Sequence, residues 1–508
     1  MLATARPRSA PPRRRRRVRL RRAPHTGQAM GTQEARDLAD AAVAKALKAG
    51  ASYAEARVQA TWEREFGLKN GEPQPSIFAE GYGIGIRVIA GGALGFAATN
   101  DMRKAAVGEV AVKAVRLAKA SAALLQRPVV FDSAKPTTKR WAAPETRKIE
   151  NADSAWLRGV LADIDGRIAK GKAGASIPGR LLYLSAELQE RYYVNSDGSR
   201  VIGRVPRVSF GGSLTAIEGG TTAQRFIQQG ETGGLEVVKR IRLAEKVVEE
   251  AEAMLKVLKA SARPPTGVVD VVLSPELSGI AAHESVGHPQ EADRVLGREG
   301  AQAGESYLKA DSLGRKIGSD EANVSDDPGL PHSNGYAPVD DEGVAAKKRH
   351  LIRGGTINEF LQNRATAGQF GVKSNGAARA VSFDREPIIR MSNTFVEPGD
   401  YTTDEIFKEV KHGVFFKTFT EWNIDDKRLN QRYVALEAYL IEHGELKELV
   451  RAPVLEITTP RLWGSVKARS KHMEFEAATC GKGDPMQGAP VWTGGPETLL
   501  SGIRLGER

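Results

Sequence analysis

Residues 281–293 read AAHESVGHPQEAD and hold two of the eight histidines of the chain, His283 and His288, five positions apart with Glu284 directly after the first. Two imidazoles with a carboxylate beside them are how a short helix holds a divalent transition metal and sets a base next to it. In the common zinc-hydrolase pattern the histidines are four apart, so one helical turn brings both rings to the same face. At about 100° per residue, positions i and i+5 diverge by roughly 140° around an α-helix. A regular helix therefore cannot chelate at this spacing. A π-type turn, bonded from i to i+5, restores the shared face, and Gly287 and Pro289 supply local means of leaving α geometry. The interval predicts a distorted helix end that carries a candidate metal site.

Zinc needs a third protein ligand, with water in the fourth position of a catalytic site. The candidates are Cys480, Glu291, His332, His350, His412, His443 and His472, and spacing does not choose among them. Cys480 sits in EAATCGKGDPMQG, residues 476–488, where glycines let a backbone come close. Plainer readings stand beside these. A lone thiol is commonly a small buried hydrophobe, two histidines near a helix end need hold no metal, and a helix glutamate is commonly half of an ion pair.

Working outward, VVDVVLSP at 268–275 reads as a buried strand leading into a helix capped by Ser274. SARPPTG at 261–267 is the best linker in the chain, and a long helix from about 235 to 259 precedes it. Residues 181–235 alternate like strands, reversing at Asn195-Ser196-Asp197-Gly198. Nearer the start, a helix opens after Thr32, a strand ends in a turn at Asn70-Gly71, and a hairpin turns at Gly91-Gly92. A helix from about 102 to 125 follows, then a Pro-containing stretch and another short helix. Gly83 and Gly85 lack the third glycine and the helix opening of a phosphate loop. The expected fold class is α+β: an N-terminal helix and antiparallel-sheet domain over 30–260, and a mainly antiparallel β domain over 268–508.

A chain of 508 residues with 41% hydrophobic content suits two or three soluble domains. Its formal charge of +12 is concentrated in residues 1–29, which hold ten arginines and no acidic residue, leaving the rest at +2. That Arg-rich extension cannot bury a core and lacks the apolar run of a secretory signal. It reads as an arm for nucleic acid, a targeting segment, or, the favoured expectation, sequence upstream of a true start at Met30. A single cysteine excludes an internal disulfide and fits a reducing compartment. No apolar run of about 18 residues exists to span a membrane. The expected location is the cytoplasm.

HESVGH followed by EAD resembles the TldD/PmbA family of metallopeptidases. The resemblance extends through GYGIGIRVIAGGALGFAATND at 81–101, NSDG at 195–198, DDEGVAAKKRHLIRGG at 340–355, RMSNTFVEPGD at 390–400, EAYLIEHGEL at 437–446 and TCGKGDP at 479–485. It leaves out residues 1–29. TldD-like chains carry H-E-x-x-x-H and a late cysteine as zinc ligands, while PmbA (TldE)-like chains lack them and act as the noncatalytic companion. The resemblance thus implies zinc (Zn2+) on His283, His288 and Cys480, with Glu284 as the base in a peptidase. It implies unfolded or leader peptides as substrates, lying extended along a sheet edge, and a PmbA/TldE-like subunit in a heterodimer, or a homodimer. Neither membrane nor nucleic acid is expected as a partner. Arg379, Tyr336 and His332 are the candidates for stabilising the oxyanion. The acidic run Asp340-Asp341-Glu342 is expected to contact a substrate amine or a subunit interface, or to form a solvated turn. The other reading is a noncatalytic peptide-binding or assembly subunit that retains the motif. Beyond the cysteine the closing segment has its own residues, so no substrate preference carries over.

Overall fold

The computed structural model describes residues 33–300 and 304–506. The Arg-rich extension, the Met30 start and the Thr32 cap lie outside them.

The first helix, α1 (Gln33–Lys48), buries Ala35, Leu38, Ala39, Ala42, Val43 and Ala46 on one stripe, the spacing of a helix laid on a sheet. That sheet is built from long strands: β1 (Tyr53–Lys69), β2 (Glu72–Ala90), β3 (Ala93–Thr99), the short β4 (Thr138–Ala142), β5 (Gly179–Asn195), β6 (Arg200–Glu218) and β7 (Thr221–Thr232). Their order is β3-β2-β1-β5-β6-β4, with β7 also paired to β6. All pairings are antiparallel except that of β4 with β6. Two hairpins turn where glycine was expected to permit it. Asn70 and Gly71 have φ of 53° and 85°, and Gly91 and Gly92 of 62° and 78°, the paired positive values whose twist matches the flanking strands.

Helices α2 (Lys104–Ala122), α3 (Ser154–Lys170) and α4 (Leu243–Leu258) are the other long helices of this half. α1 and α2 cover β1 to β3, while α3 and α4 pack with Trp62, Leu182, Leu184 and Phe210 over a second core. The helix expected to be short after the Pro-containing stretch runs 17 residues. Asp153 caps it, its carboxylate accepting from the Trp156 N–H at 2.7 Å.

Beyond residue 267, β8 (Val268–Leu273) lies inside a six-stranded sheet between His412–Phe416, which it meets in parallel, and Thr498–Arg504, which it meets antiparallel. A second six-stranded sheet ends on the edge strand Glu474–Lys482. That strand pairs antiparallel with Gln487–Gly495, which pairs in parallel with Asn393–Val396. The sheets here are mainly antiparallel, as expected, with these two parallel pairings added. Helix α5 (Pro275–Ala282) leaves β8 and packs on the second sheet. Ser274 caps it as expected, its hydroxyl accepting from Leu277 N at 3.3 Å.

The acidic run 340–342 is neither a solvated turn nor part of the cleft described below. All three carboxylates are buried at the seam between the first sheet and the second half of the chain. Arg87 of β2 donates to Glu55 at 2.8 Å and to Glu342 at 2.7 Å. Arg191 of β5 pairs with Asp341. Asp340 closes its own loop by accepting from the N–H of Glu342, Val344 and Ala378 at 3.0, 2.8 and 3.1 Å. Buried charge needs such partners, and arginines far away in sequence supply them.

Candidate metal centre

Helix α5 does not end as an α-helix. His283–Gly287 forms a π-turn and His288–Gln290 a 3-10 turn, as the five-residue interval predicts. The widened turn stacks His283 and His288 edge to face, with ring centroids 4.9 Å apart. Gly287 is needed there, because a Cβ would collide with the Met391 sulfur. Ser285 ties the turn to the core, donating to Ala281 O at 2.6 Å and accepting from Trp463 Nε1 at 3.0 Å.

Cys480 arrives from the other side, on the edge strand Glu474–Lys482. Its Sγ lies 3.4 Å from His288 Nε2, and one ligand atom each from His283, His288 and Cys480 falls within 4.8 Å of the others. The three residues are 4%, 3% and 6% exposed. Arg390 pins the strand at this point, donating to Cys480 O and, at 2.6 Å, to Gln487 O. Burial pushes both histidines down, which favours the neutral imidazole that binds metals. Burial also opposes the Cys480 thiolate, but His288 and Arg390 outweigh it and bring the thiol to about 7. His283 Nδ1 is buried with no hydrogen-bond partner.

Glu291 is not the third member of this cluster; it orients one. Its carboxylate lies 3.1 Å from His288 Nδ1, which leaves Nε2 facing Cys480, the arrangement that fixes tautomer and ring plane in metal sites. Glu291 accepts from Arg294 Nε at 2.6 Å and stands 3.3 Å from Lys482 Nζ. Burial works against its charge, but Lys482 and Arg294 prevail and hold it well below the usual carboxylate range.

Glu284 is buried, and its Oε2 lies 2.5 Å from Arg428 Nη1. Sequence reasoning missed Arg428, which stands in an unremarkable charged turn, NIDDKRLNQ at 423–431. His283, Glu284, His288, Cys480 and Arg428 line one cleft of about 830 Å³, shared with β7 and the edge strand.

Among the described residues no other histidine joins the cluster. His350 bonds Ser325 and Glu397, and His472 faces Glu474 and Glu497. His332, His412 and His443 do not line the cleft. The three oxyanion candidates fail as well, since none lines the cleft. Arg379 donates to Met391 O at 2.8 Å and Pro490 O at 2.9 Å, Tyr336 packs edge-on against Trp141, and the His332 carbonyl accepts from Thr232 N.

Three domain models match the chain: PmbA/TldA metallopeptidase domain 1 at 54–122, the central domain at 141–255, and the C-terminal domain at 266–507. A metalloprotease of Methanocaldococcus jannaschii is 30% identical over 457 residues, covering 89% of this chain and 96% of that protein. A protein of Saccharolobus solfataricus named zinc metalloprotease TldD homolog is 30% identical over 244 residues, 48% of this chain and 52% of its own. The crystal structure of TldE from Thermococcus kodakarensis shares the fold, with a TM-score of 0.71 at 20% identity over 92% of this chain and 100% of that one. By these matches, and by the order of its three domains, the chain belongs to the PmbA/TldD family of metallopeptidases.

Proposed function

We propose that the chain is a zinc-dependent peptidase of the TldD branch that cleaves unfolded or leader peptides, with His283, His288 and Cys480 holding the metal and Glu284 acting as the base. The observation that carries this reading is the convergence of the three ligand atoms within 4.8 Å, lining one cleft with Glu284. The donor set fits the ion: two imidazoles that burial keeps neutral, a thiol brought to about 7, and a buried His283 nitrogen with no other partner. The name of the Saccharolobus relative supports zinc.

Zinc bound there supplies Lewis acidity toward a water and a peptide carbonyl. Glu284 takes a proton from the attacking water and passes it to the nitrogen of the leaving amine. Glu291 keeps His288 in the tautomer that presents Nε2. The strand Glu474–Lys482 ends its sheet among the described residues, the position at which an extended peptide can add as a further strand, a mode of binding that tolerates varied sequence. A PmbA/TldE-like subunit is the proposed partner, in a heterodimer or, failing that, a homodimer, and the fold shared with a TldE supports it. The single cysteine supports a cytoplasmic setting. The division into domains over 30–260 and 268–508, joined by SARPPTG, belongs to the same reading.

The test is zinc content and cleavage of fluorescein-labelled unfolded casein, for the full chain and for Glu284→Gln, alone and with a TldE-type partner. The expected result is about one zinc in both, with cleavage reduced on the order of 100-fold or more in the variant. Casein bound equally by both and cut by neither selects the noncatalytic peptide-binding subunit instead.

A further inference from the structure

Arg428 occupies the turn between Phe419–Ile424 and Asn430–Ala435 with φ of 63°, a left-handed conformation that a non-glycine residue keeps only where its surroundings over-determine it. The surroundings do so. Arg428 N donates to Asp425 O at 2.9 Å. The Asp425 carboxylate accepts from Leu429 N at 2.7 Å and from the Asn430 amide at 2.6 Å, and Thr459 Oγ1 donates to Arg428 O at 2.8 Å. This bracing delivers a buried guanidinium to Glu284 Oε2 at 2.5 Å.

The guanidinium is under-used. Among the described residues only Nη1 has a hydrogen-bond partner, and Nε is buried without one. Arginine carries several N–H donors, so a braced one on a cleft wall that engages only Nη1 is suited to a ligand that arrives. Tyr433, which also feels the Glu284 charge, already gives its hydroxyl hydrogen to Gln431 Oε1 at 2.5 Å. Glu284 Oε1, in turn, accepts no hydrogen bond among the described residues.

We propose that Arg428 is a catalytic residue, donating from Nη2 to the carbonyl oxygen of the scissile peptide bond as that oxygen becomes negative. This rests on the peptidase reading above. The water oxygen bonds to the carbonyl carbon, and its proton goes to Glu284 Oε1. The carbonyl electron pair moves onto the oxygen facing Arg428. The pair then returns, the C–N bond breaks, and the proton held by Glu284 goes to the departing nitrogen, leaving a carboxylic acid and an amine. Donors fixed in advance in a site with little water act on charge as it develops, and losing one costs about 100- to 1000-fold in kcat.

The experiment compares the zinc-loaded full chain, with its partner where cleavage requires one, against Arg428→Lys and Arg428→Gly, using fluorescein-labelled casein. Glycine suits the left-handed backbone, which keeps that variant foldable. The expected result is parental zinc content, KM within about threefold, kcat lowered about 100-fold or more in both, and partial recovery of Arg428→Gly by added guanidinium ion. Parental kcat in Arg428→Lys, or a loss confined to KM or to zinc content, overturns the role of Arg428 and leaves the peptidase reading standing. A zinc-loaded parent that cleaves nothing with its partner overturns the peptidase reading and this role with it.

Discussion

Cys480 and His288 stand with Sγ and Nε2 3.4 Å apart although 192 residues separate them in the chain. A distorted helix end supplies one and a sheet edge the other, and burial forbids leaving the pair loosely solvated. Cobalt(II) loaded into the zinc-free chain is therefore expected to give a thiolate charge-transfer band that Cys480→Ser lacks, with metal affinity lowered more than about 100-fold in the variant. The same spectrum from both proteins would remove Cys480 from the ligand set.

Lys482, two residues on, is fully buried and stands against three carboxylates. Its Nζ lies 2.8 Å from both oxygens of Asp293, 3.3 Å from Glu291 and 3.8 Å from Glu299. Lys482→Met leaves those charges facing one another, at about 3–5 kcal/mol for a broken buried ion network. Because Glu291 then loses its anchor under His288, zinc affinity should fall about 10- to 100-fold as well. Urea melts and competition with a chelator measure the two effects, and an unchanged affinity would deny Lys482 any hold on the site.

Two glycines inside helices make opposite predictions. Gly108 in α2 faces open space, so Gly108→Ala should stabilise the chain by about 0.5–1 kcal/mol through helix propensity. At Gly279 in α5 a Cβ would run into the backbone of Gly494 and Thr493, which cannot rotate away as a side chain can. Gly279→Ala should cost about 1–3 kcal/mol. Thermal melts of both variants decide it, and a stabilised Gly279→Ala would mean that α5 rides farther from the sheet.

Glu476 lines the cleft four residues before Cys480, and burial, then the Glu276 charge, pushes it up to about 8 from an ordinary 4.5. Between those values the folded chain keeps a proton that the unfolded chain has released. The contribution of this group to stability is therefore fully present below about 4.5 and lost as pH rises through about 8. Glu476→Gln cannot ionise, so its Tm should exceed that of the parent by a margin that widens from pH 5 to pH 8. A margin flat across that range would place the carboxyl in an ordinary environment.

What could be read from the sequence was local. The π-turn follows from a spacing that an α-helix cannot satisfy, the Ser274 cap from its place before a helix, and the turns at Asn70-Gly71 and Gly91-Gly92 from residues that accept positive φ. What stayed hidden depends on pairing across hundreds of residues. Nothing in NIDDKRLNQ distinguishes Arg428 from its charged neighbours, because its role comes from a strained turn closing on Glu284, 144 residues away. That Cys480, and not Glu291 or another histidine, is the residue that clusters with His283 and His288 was equally a matter of tertiary contact. Glu291 proved to support His288 because Lys482 and Arg294 reach it. The run at 340–342 looked like surface because three adjacent acids usually are, and only Arg87 and Arg191 on distant strands make its burial possible.

That buried run also determines how the molecule can be divided. Arg87 and Arg191, the counterions of Glu342 and Asp341, lie on β2 and β5, while the acids lie on the far side of SARPPTG. Cutting there would strip Glu342 and Asp341 of their arginine counterions and leave them only backbone N–H groups of their own half, from Arg364 and Ala380, as partners. The three candidate ligands lie in one half of the polypeptide, yet that half is not electrostatically self-sufficient, and the first sheet serves it as a built-in counterion.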